Sequence, residues 1–361
     1  MCPPWAGFLR ASISVAILIL LTTGSGLPAA GQSGDVVAAV AGYRGPDRTA
    51  RLEAGARQEG ALMLYTSMDL QESRPLVEGF TRKYPFIRVD IYRANGEDVS
   101  QRMITEYRAR RYLVDVFEGT GMDIVKVLNE GYGQRYFTPR AGGYPRQARD
   151  PGGQWVATRY NMLVLAWNTD LVSAAEAPGR YEDLLHSRWR GRMGIEADDQ
   201  VWLATLFGLW GEARAMDFFR RLGAQQLSVR SGHTLLAQMI VAGEVPLSPT
   251  IYNHRAEALK GRGAPIDWRP LEPAVAIPNV VMLARRAPHP HAAMLFVDYI
   301  LSSEGQVALA KLGRVTAHPF VKADPPYLNQ GFAYRTVDLQ AFLRNFARYD
   351  SLWQELLIGR R

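Results

Sequence analysis

The chain has 361 residues, of which 47% are hydrophobic, and a formal net charge of +7. That length and apolar content fit one large or two medium folded domains and argue against a disordered chain. The positive excess is dispersed, with Arg108, Arg110 and Arg111 as its densest cluster, so a solvated helix face accounts for it better than a nucleic-acid-binding arm.

Arg10 precedes an apolar run at 11–21, and Ala29, Ala30 and Gly31 follow as small residues suited to cleavage. Residues 1–31 therefore read as a signal peptide that exports the chain to the periplasm. The sole cysteine, Cys2, lies in this leader, so disulfides, thiolate catalysis and cysteine-held metals are excluded from the mature chain. Residues 32–60 read as a loose linker and a leading helix at 48–59. The run 61–65 is a short apolar strand, 66–69 a polar loop, and Ser73 with Pro75 marks the opening of a helix. Leu76, Val77, Phe80 and Tyr84 fall at helical spacing, Pro85 stops them, and Ile87, Val89 and Ile91 alternate with polar neighbours as in a half-buried strand. A strand, helix and strand of this length cross over into a parallel sheet and put the loop 66–69, with Ser67 and Asp69, at the sheet's carboxyl edge, where ligands bind.

Val99, Met103, Ile104 and Tyr107 mark another amphipathic helix, 114–117 a buried strand, and Glu118 to Gly121 a second edge loop containing Thr120. A helix at 122–130 and a loop-rich stretch at 132–153 follow. The continuous apolar run 162–167 is long enough to pass from one sheet to another, and 274–283 is a second such run. Between them lie a strand at 190–195, the polar loop Asp198, Asp199 and Gln200, and a helix at 201–210 that is apolar on most sides. Ser231, Gly232, His233 and Thr234 cap a helix at 235–242, and a strand at 245–248 leads into a loop at 249–252. Two crossings imply two lobes of mainly parallel, helix-flanked sheet. Lobe 1 is then 61–160 with 276–320, lobe 2 is 161–275, and 321–361 is a peripheral helical tail. The P-loop, dinucleotide-binding, zincin and nucleophile-elbow motifs are absent.

Several residues suit ligand binding. Asp69 is either a ligand contact or a partner of the helix dipole. Ser231, Gly232 and Thr234 at a helix start either present N–H groups to an anion or merely cap. Asp198 and Asp199 welcome an ammonium group, and Trp202 one turn later offers a stacking face. One edge loop thus suits an anion and another a cation, which a zwitterion or a metal–anion complex would satisfy together. His289 and His291 read as an exposed loop rather than a metal motif.

The segments EGALMLYTSMD, FTRKYPFIRVDIYRANGEDV, VDVFEGTG, AGEVPLSPTIYN and AAMLFVDYILSSEGQVALAKLGRVTAHP resemble the extracellular solute-binding proteins of ABC importers, in the subgroup with ferric-ion-binding members. The resemblance implies an α/β, two-lobed type II periplasmic-binding-protein fold, a monomer that closes on a small ligand and docks to a membrane permease, and no catalysis or resident cofactor. It also implies a metal site of His, Glu and two adjacent Tyr, whose positions here hold Asp69, Thr120, Ile251 and Tyr252. Asp69 and Tyr252 are then the metal ligands if Fe(III) is the cargo, with a carboxylate from Glu118 or Asp199. The expected ligand set is Ser67, Asp69, Thr120, Asp199, Trp202, Ser231, Thr234 and Tyr252. Two other functions share such a fold: a ligand-sensing subunit for a membrane receptor, and an enzyme of the porphobilinogen-deaminase kind, which needs a cysteine that the mature chain lacks.

Overall fold

The computed structural model describes residues 32–359, so the signal segment lies outside the described residues. The first expected linker is a helix, α1 (Gly34–Gly42), followed by α2 (Arg48–Glu59), which ends at the left-handed Gly60. The opening unit is β1 (Ala61–Thr66), α3 (Leu70–Lys83) and β2 (Arg88–Arg93), with β1 and β2 parallel in the register Ala61 to Arg88. Helix α3 opens earlier than the Ser73 and Pro75 signal implied. Asp69 occupies its N-cap, and Pro75 sits in the second turn. Then come α4 (Gly96–Arg108), β3 (Val116–Thr120), α5 (Gly121–Asn129) and the short β4 (Gly133–Gln134).

Strand β5 (Trp155–Asn168) is buried at every position, which is why its stretch 162–167 reads as an unbroken apolar run, while Thr158, Arg159 and Asn161 interrupt its first half. The second region contains β6 (Gly194–Glu196), α6 (Gln200–Trp210), α7 (Glu212–Gly223), β7 (Ser228–Arg230), α8 (His233–Val241), β8 (Leu247–Tyr252), α9 (Asn253–Lys260) and β9 (Ile266–Arg269). Strand β8 runs through Tyr252, so the expected loop at 249–252 is strand instead. The return strand β10 (Ala274–Ala284) is also wholly buried, and α10 (Pro290–Ile300), α11 (Ser303–Lys311) and β11 (Val315–Thr316) follow.

The main sheet has the order β11, β5, β10, β3, β1, β2. The first half of β5 pairs antiparallel with β10, from Trp155 opposite Met282 to Leu163 opposite Val275, while its last residues pair with β8 and β9. Strand β10 in turn pairs with β3 through residues 279–283. These two long strands are therefore shared by both halves of the molecule. Each sheet half packs its own helices, and the open side between the halves is a cleft.

The tail is not peripheral. Strand β12 (Tyr334–Thr336) pairs parallel with the start of β10, and α12 (Leu339–Arg344) and α13 (Phe346–Trp353) follow it. Leu339 lies against Gly121, where an added Cβ would come within 2.3 Å of its side chain, and Gln340 donates to Asp150 at 2.8 Å. Further on, Trp353 is fully buried, its indole N–H donates to the Ala197 carbonyl at 2.6 Å, and Leu356 packs over Gly223. The tail thus grips both halves. No helix among the described residues is long and apolar enough to cross a membrane.

Candidate ligand cleft

The cleft between the halves encloses about 710 Å³. Its floor comes from the shared strands and their neighbours: Arg159 and Asn161 on β5, Asn279 on β10, His254 on α9, and Arg314 in the turn between α11 and β11. All five are buried. A charge placed there must be paired, and both arginines are. Arg159 Nη1 is paired with Glu118, whose carboxylate also accepts from Thr66 Oγ1 at 2.9 Å and Thr158 Oγ1 at 3.0 Å. Arg159 Nη2 donates to Asn279 Oδ1 at 3.2 Å. Arg314 Nη1 donates to Glu72 at 2.7 Å and its Nη2 to Asn161 Oδ1 at 2.5 Å.

The pairing is incomplete in one direction only. The Nε groups of Arg159 and Arg314, the amide nitrogen of Asn279 and His254 Nδ1 are buried with no hydrogen-bond partner among the described residues. Burial lowers the Arg314 guanidinium to about 10, which leaves it charged at neutral pH. Burial, reinforced by Arg314, Arg255 and Arg159, holds His254 well below the ordinary histidine range, so its ring is neutral. The floor therefore presents fixed positive charge and unused N–H donors.

The wall on the β6 side is of opposite sign. Glu196 ends β6, and its two oxygens accept from the backbone N–H groups of Gly232 at 2.8 Å and Asp198 at 2.5 Å. Burial, then Asp199, raises its carboxyl. Asp199 caps α6 without a side-chain bond to that helix and lies 3.3 Å from His233 Nε2. His233 Nδ1 is 2.8 Å from the Thr250 carbonyl, and the Tyr252 ring covers the imidazole at a centroid distance of 3.7 Å. Burial, then Asp199 and Glu196, pushes the Tyr252 phenol well above its ordinary value, so it is a neutral hydroxyl.

Ser67, Asp69, Thr120, Asp199, Ser231, Thr234 and Tyr252 all line the cleft. Trp202 does not. It is fully buried against Phe219 at 5.1 Å, with Tyr181 at 6.3 Å and Trp353 at 6.5 Å, so it is a core residue and offers no stacking face. Asp69 is already paired with Arg93 at 2.6 Å and with Arg255, which leaves it poorly placed as a metal ligand. Thr120 caps α5 and donates to Asp123 at 2.6 Å, Ile251 is buried in β8, and Glu118 is consumed by Arg159 and two hydroxyls. At the helix start 231–234 the Gly232 N–H is answered by the protein's own Glu196, which sets a carboxylate beside the place expected for an anion. His289 and His291 are not an exposed loop either; they pair separately with Asp115 at 2.8 Å and Glu59 at 2.6 Å. Sequence reading missed Arg159, Arg314, Glu72 and Asn279. The available signal was a lone arginine inside the apolar run of β5, which has to find a partner or a ligand.

Relatives agree with this architecture. A protein of Haemophilus influenzae described only as uncharacterized is 27% identical over 298 residues, covering 73% of this chain and 81% of its own. Iron-bound HitA from Pseudomonas aeruginosa superposes with a TM-score of 0.70 at 20% identity, covering 82% of this chain and 99% of that one. AfuA from Actinobacillus pleuropneumoniae, with exogenous fructose-6-phosphate bound, gives 0.73 at 22% identity, covering 84% and 99%. At such identities the likeness to solved structures carries the fold, which is the two-lobed type II periplasmic-binding-protein fold. The family model for bacterial extracellular solute-binding proteins matches residues 124–343. The chain belongs to that family of bacterial extracellular solute-binding proteins.

Proposed function

We propose that the protein is an exported receptor that closes its two lobes around a small organic anion and delivers it to an ABC permease. One observation carries the choice of ligand: Arg159, Arg314 and Asn279, each with a buried N–H group that has no acceptor among the described residues, line the floor of one cleft. A buried donor without an acceptor costs about 1–3 kcal/mol, and an incoming carboxylate or phosphate removes that cost while meeting two guanidinium charges. The far end of the solute faces Glu196, Asp198 and Asp199, which favours hydroxyl or ammonium groups there. AfuA, whose solved form holds a sugar phosphate, is a relative with a ligand of this class.

A bare ferric ion is the second reading, favoured by the likeness to iron-bound HitA. It is the weaker one here, since of the four positions aligned with a ferric site only Tyr252 keeps a suitable and uncommitted ligand. Catalysis has no support in the cleft, and transport is preferred over sensing on the family alone. Native mass spectrometry of freshly purified protein, followed by thermal scans against phosphate esters, hydroxycarboxylates, amino acids and ferric citrate, tests the reading. An anion at about 100 times its dissociation constant should stabilise the fold by roughly 2.7 kcal/mol. Stabilisation by neutral or purely cationic solutes, with none by any anion, overturns it.

A further inference from the structure

We propose that the acidic wall of the cleft is a metal site in its own right, in which Glu196, Asp199 and His233 hold one divalent transition-metal ion of the Zn²⁺ type with a coordination position left open to the cleft. It rests on the side chains of the wall and not on the arginines of the floor.

The three residues each offer a ligand atom, and these atoms lie within 4.8 Å of one another. A tetrahedral ion with bonds of about 2.0–2.1 Å needs neighbouring ligand atoms roughly 3.4 Å apart, a spacing that His233 Nε2 and Asp199 Oδ1 already have at 3.3 Å. The third ligand atom lies no farther than 4.8 Å from the others, so side-chain movement of at most about 1.4 Å brings it into range. The local fold holds each ligand from behind. Glu196 is pinned by two backbone N–H groups, which use one lone pair on each oxygen and leave the others free. His233 Nδ1 must carry the hydrogen that it gives to the Thr250 carbonyl, so Nε2 is the ring nitrogen with an available lone pair, and the Tyr252 ring fixes the imidazole plane. A histidine whose second nitrogen donates to a backbone carbonyl is the usual support for a metal-bound imidazole.

An independent observation points to a missing cation. Asp199 is only 2% exposed, caps no helix N–H with its side chain, and its Oδ2 has no hydrogen-bond partner among the described residues. A buried carboxylate oxygen with nothing to accept from is costly unless a cation meets it. Imidazole with two carboxylates suits Zn²⁺ and its neighbours better than Mg²⁺, which prefers an all-oxygen octahedron.

The experiment uses the mature protein stripped with a chelator, titrated calorimetrically with ZnCl₂ and with MgCl₂ in the absence of any solute, and loaded in parallel with Co²⁺ for visible spectroscopy. One Zn²⁺ per chain, no measurable Mg²⁺ uptake and the d–d bands of a low-coordinate Co²⁺ site are expected. His233→Ala and Asp199→Asn should each weaken Zn²⁺ binding by more than about 100-fold while Zn²⁺-free melting confirms that they fold. The Co²⁺ spectrum of the unmutated protein decides the matter if either variant fails to fold. No Zn²⁺ uptake overturns the proposal. Zn²⁺ binding that survives both substitutions but disappears in His291→Ala overturns it as well, by moving the ion to the surface pair with Glu59. Anion-induced stabilisation of the metal-free protein is scored separately, so loss of either result leaves the other standing.

Discussion

Replacing Arg314 with glutamine probes the cleft floor where its two roles can be told apart. In the native chain the guanidinium is 3% exposed and ties Glu72 to Asn161, while its Nε is left over for a ligand. Glu72 is itself only 13% exposed, so Arg314→Gln alone strands a buried carboxylate and should cost about 3–5 kcal/mol of stability. Adding Glu72→Gln removes the stranded charge. Replacing both members of a buried pair is often close to neutral, so the double variant should recover most of that stability. Its affinity for the solute should not recover. A hydrogen bond to a charged group is worth about 1.5–3 kcal/mol, which corresponds to a loss of roughly 10- to 150-fold in the dissociation constant. Urea unfolding gives the stability terms, and calorimetric titration with the anion identified by the thermal panel gives the affinity. Because burial leaves Arg314 titrating near 10, wild-type affinity should hold from neutral pH up to about 9 and fall as pH passes that value. A double variant that binds the anion as tightly as wild type refutes the reasoning, for Arg314 would then serve only to neutralise Glu72.

Three further perturbations separate core, electrostatic and closure effects. Trp202→Ala should cost about 3–5 kcal/mol in unfolding and leave solute affinity unchanged at temperatures where the variant stays folded, because the ring packs on Phe219 and Trp353 and not on the cleft; weakened binding by the folded variant would restore its expected ligand role. Asp123 is held at about 6 chiefly by burial, so its folded value lies above the ordinary 3.8 and its stability contribution is present below about pH 4 and lost as pH rises through 6. Asp123→Asn should therefore raise the melting temperature at pH 7 by a few degrees with a gain that vanishes near pH 4, and a pH-independent gain would show that desolvation is not the cause. Asp69 pairs with Arg93 beside β1 and with Arg255 on α9 across the cleft mouth. Asp69→Asn should enlarge the radius of gyration of the solute-free protein by scattering but not that of the saturated protein, since a partly exposed pair of about 1 kcal/mol shifts an open–closed equilibrium about fivefold; equal radii for variant and wild type without solute would remove the latch.

What was legible beforehand follows from periodicity. Ile87, Val89 and Ile91 alternate because β2 is half covered, and β5 and β10 read as long, mostly apolar stretches, interrupted at Arg159, Asn161 and Asn279, because both faces are buried. Those patterns identify a βαβ unit and two crossing strands from local sequence. The cleft chemistry was not local. Glu72 meets Arg314 across 242 positions and Glu118 meets Arg159 across 41, and nothing in either neighbourhood names its partner. Trp202 lies three residues from Asp199, spacing that suggests a shared face, yet α6 is buried almost all round and the aromatic cluster of the lobe takes the ring inward. The tail carried a readable signal that was passed over: Leu339, Phe342 and, later, Trp353, Leu356 and Leu357 recur at helical spacing, which a solvated tail has no reason to keep.

The conflict between an anion-seeking loop and a cation-seeking loop has a spatial answer. The acidic residues at 196–199 and the arginines at 159 and 314 line one cleft, the first on its wall and the second on its floor. The helix start at 231–234, which looked suited to an anion, belongs instead to the acidic wall through the bond from Gly232 to Glu196. With no metal on the wall, a solute with one acidic end has a single favourable orientation, since a reversed one would set its charge against Glu196 and Asp199. Closure must also carry the tail along, because β12 and Gln340 bind it on one side while Gln200 to Asp350, at 3.0 Å, and Trp353 to Ala197 bind it on the other. Phe346 and Asp350 of that tail line the cleft as well. A ligand that touches this segment would thus couple occupancy of the cleft to the relative position of both lobes.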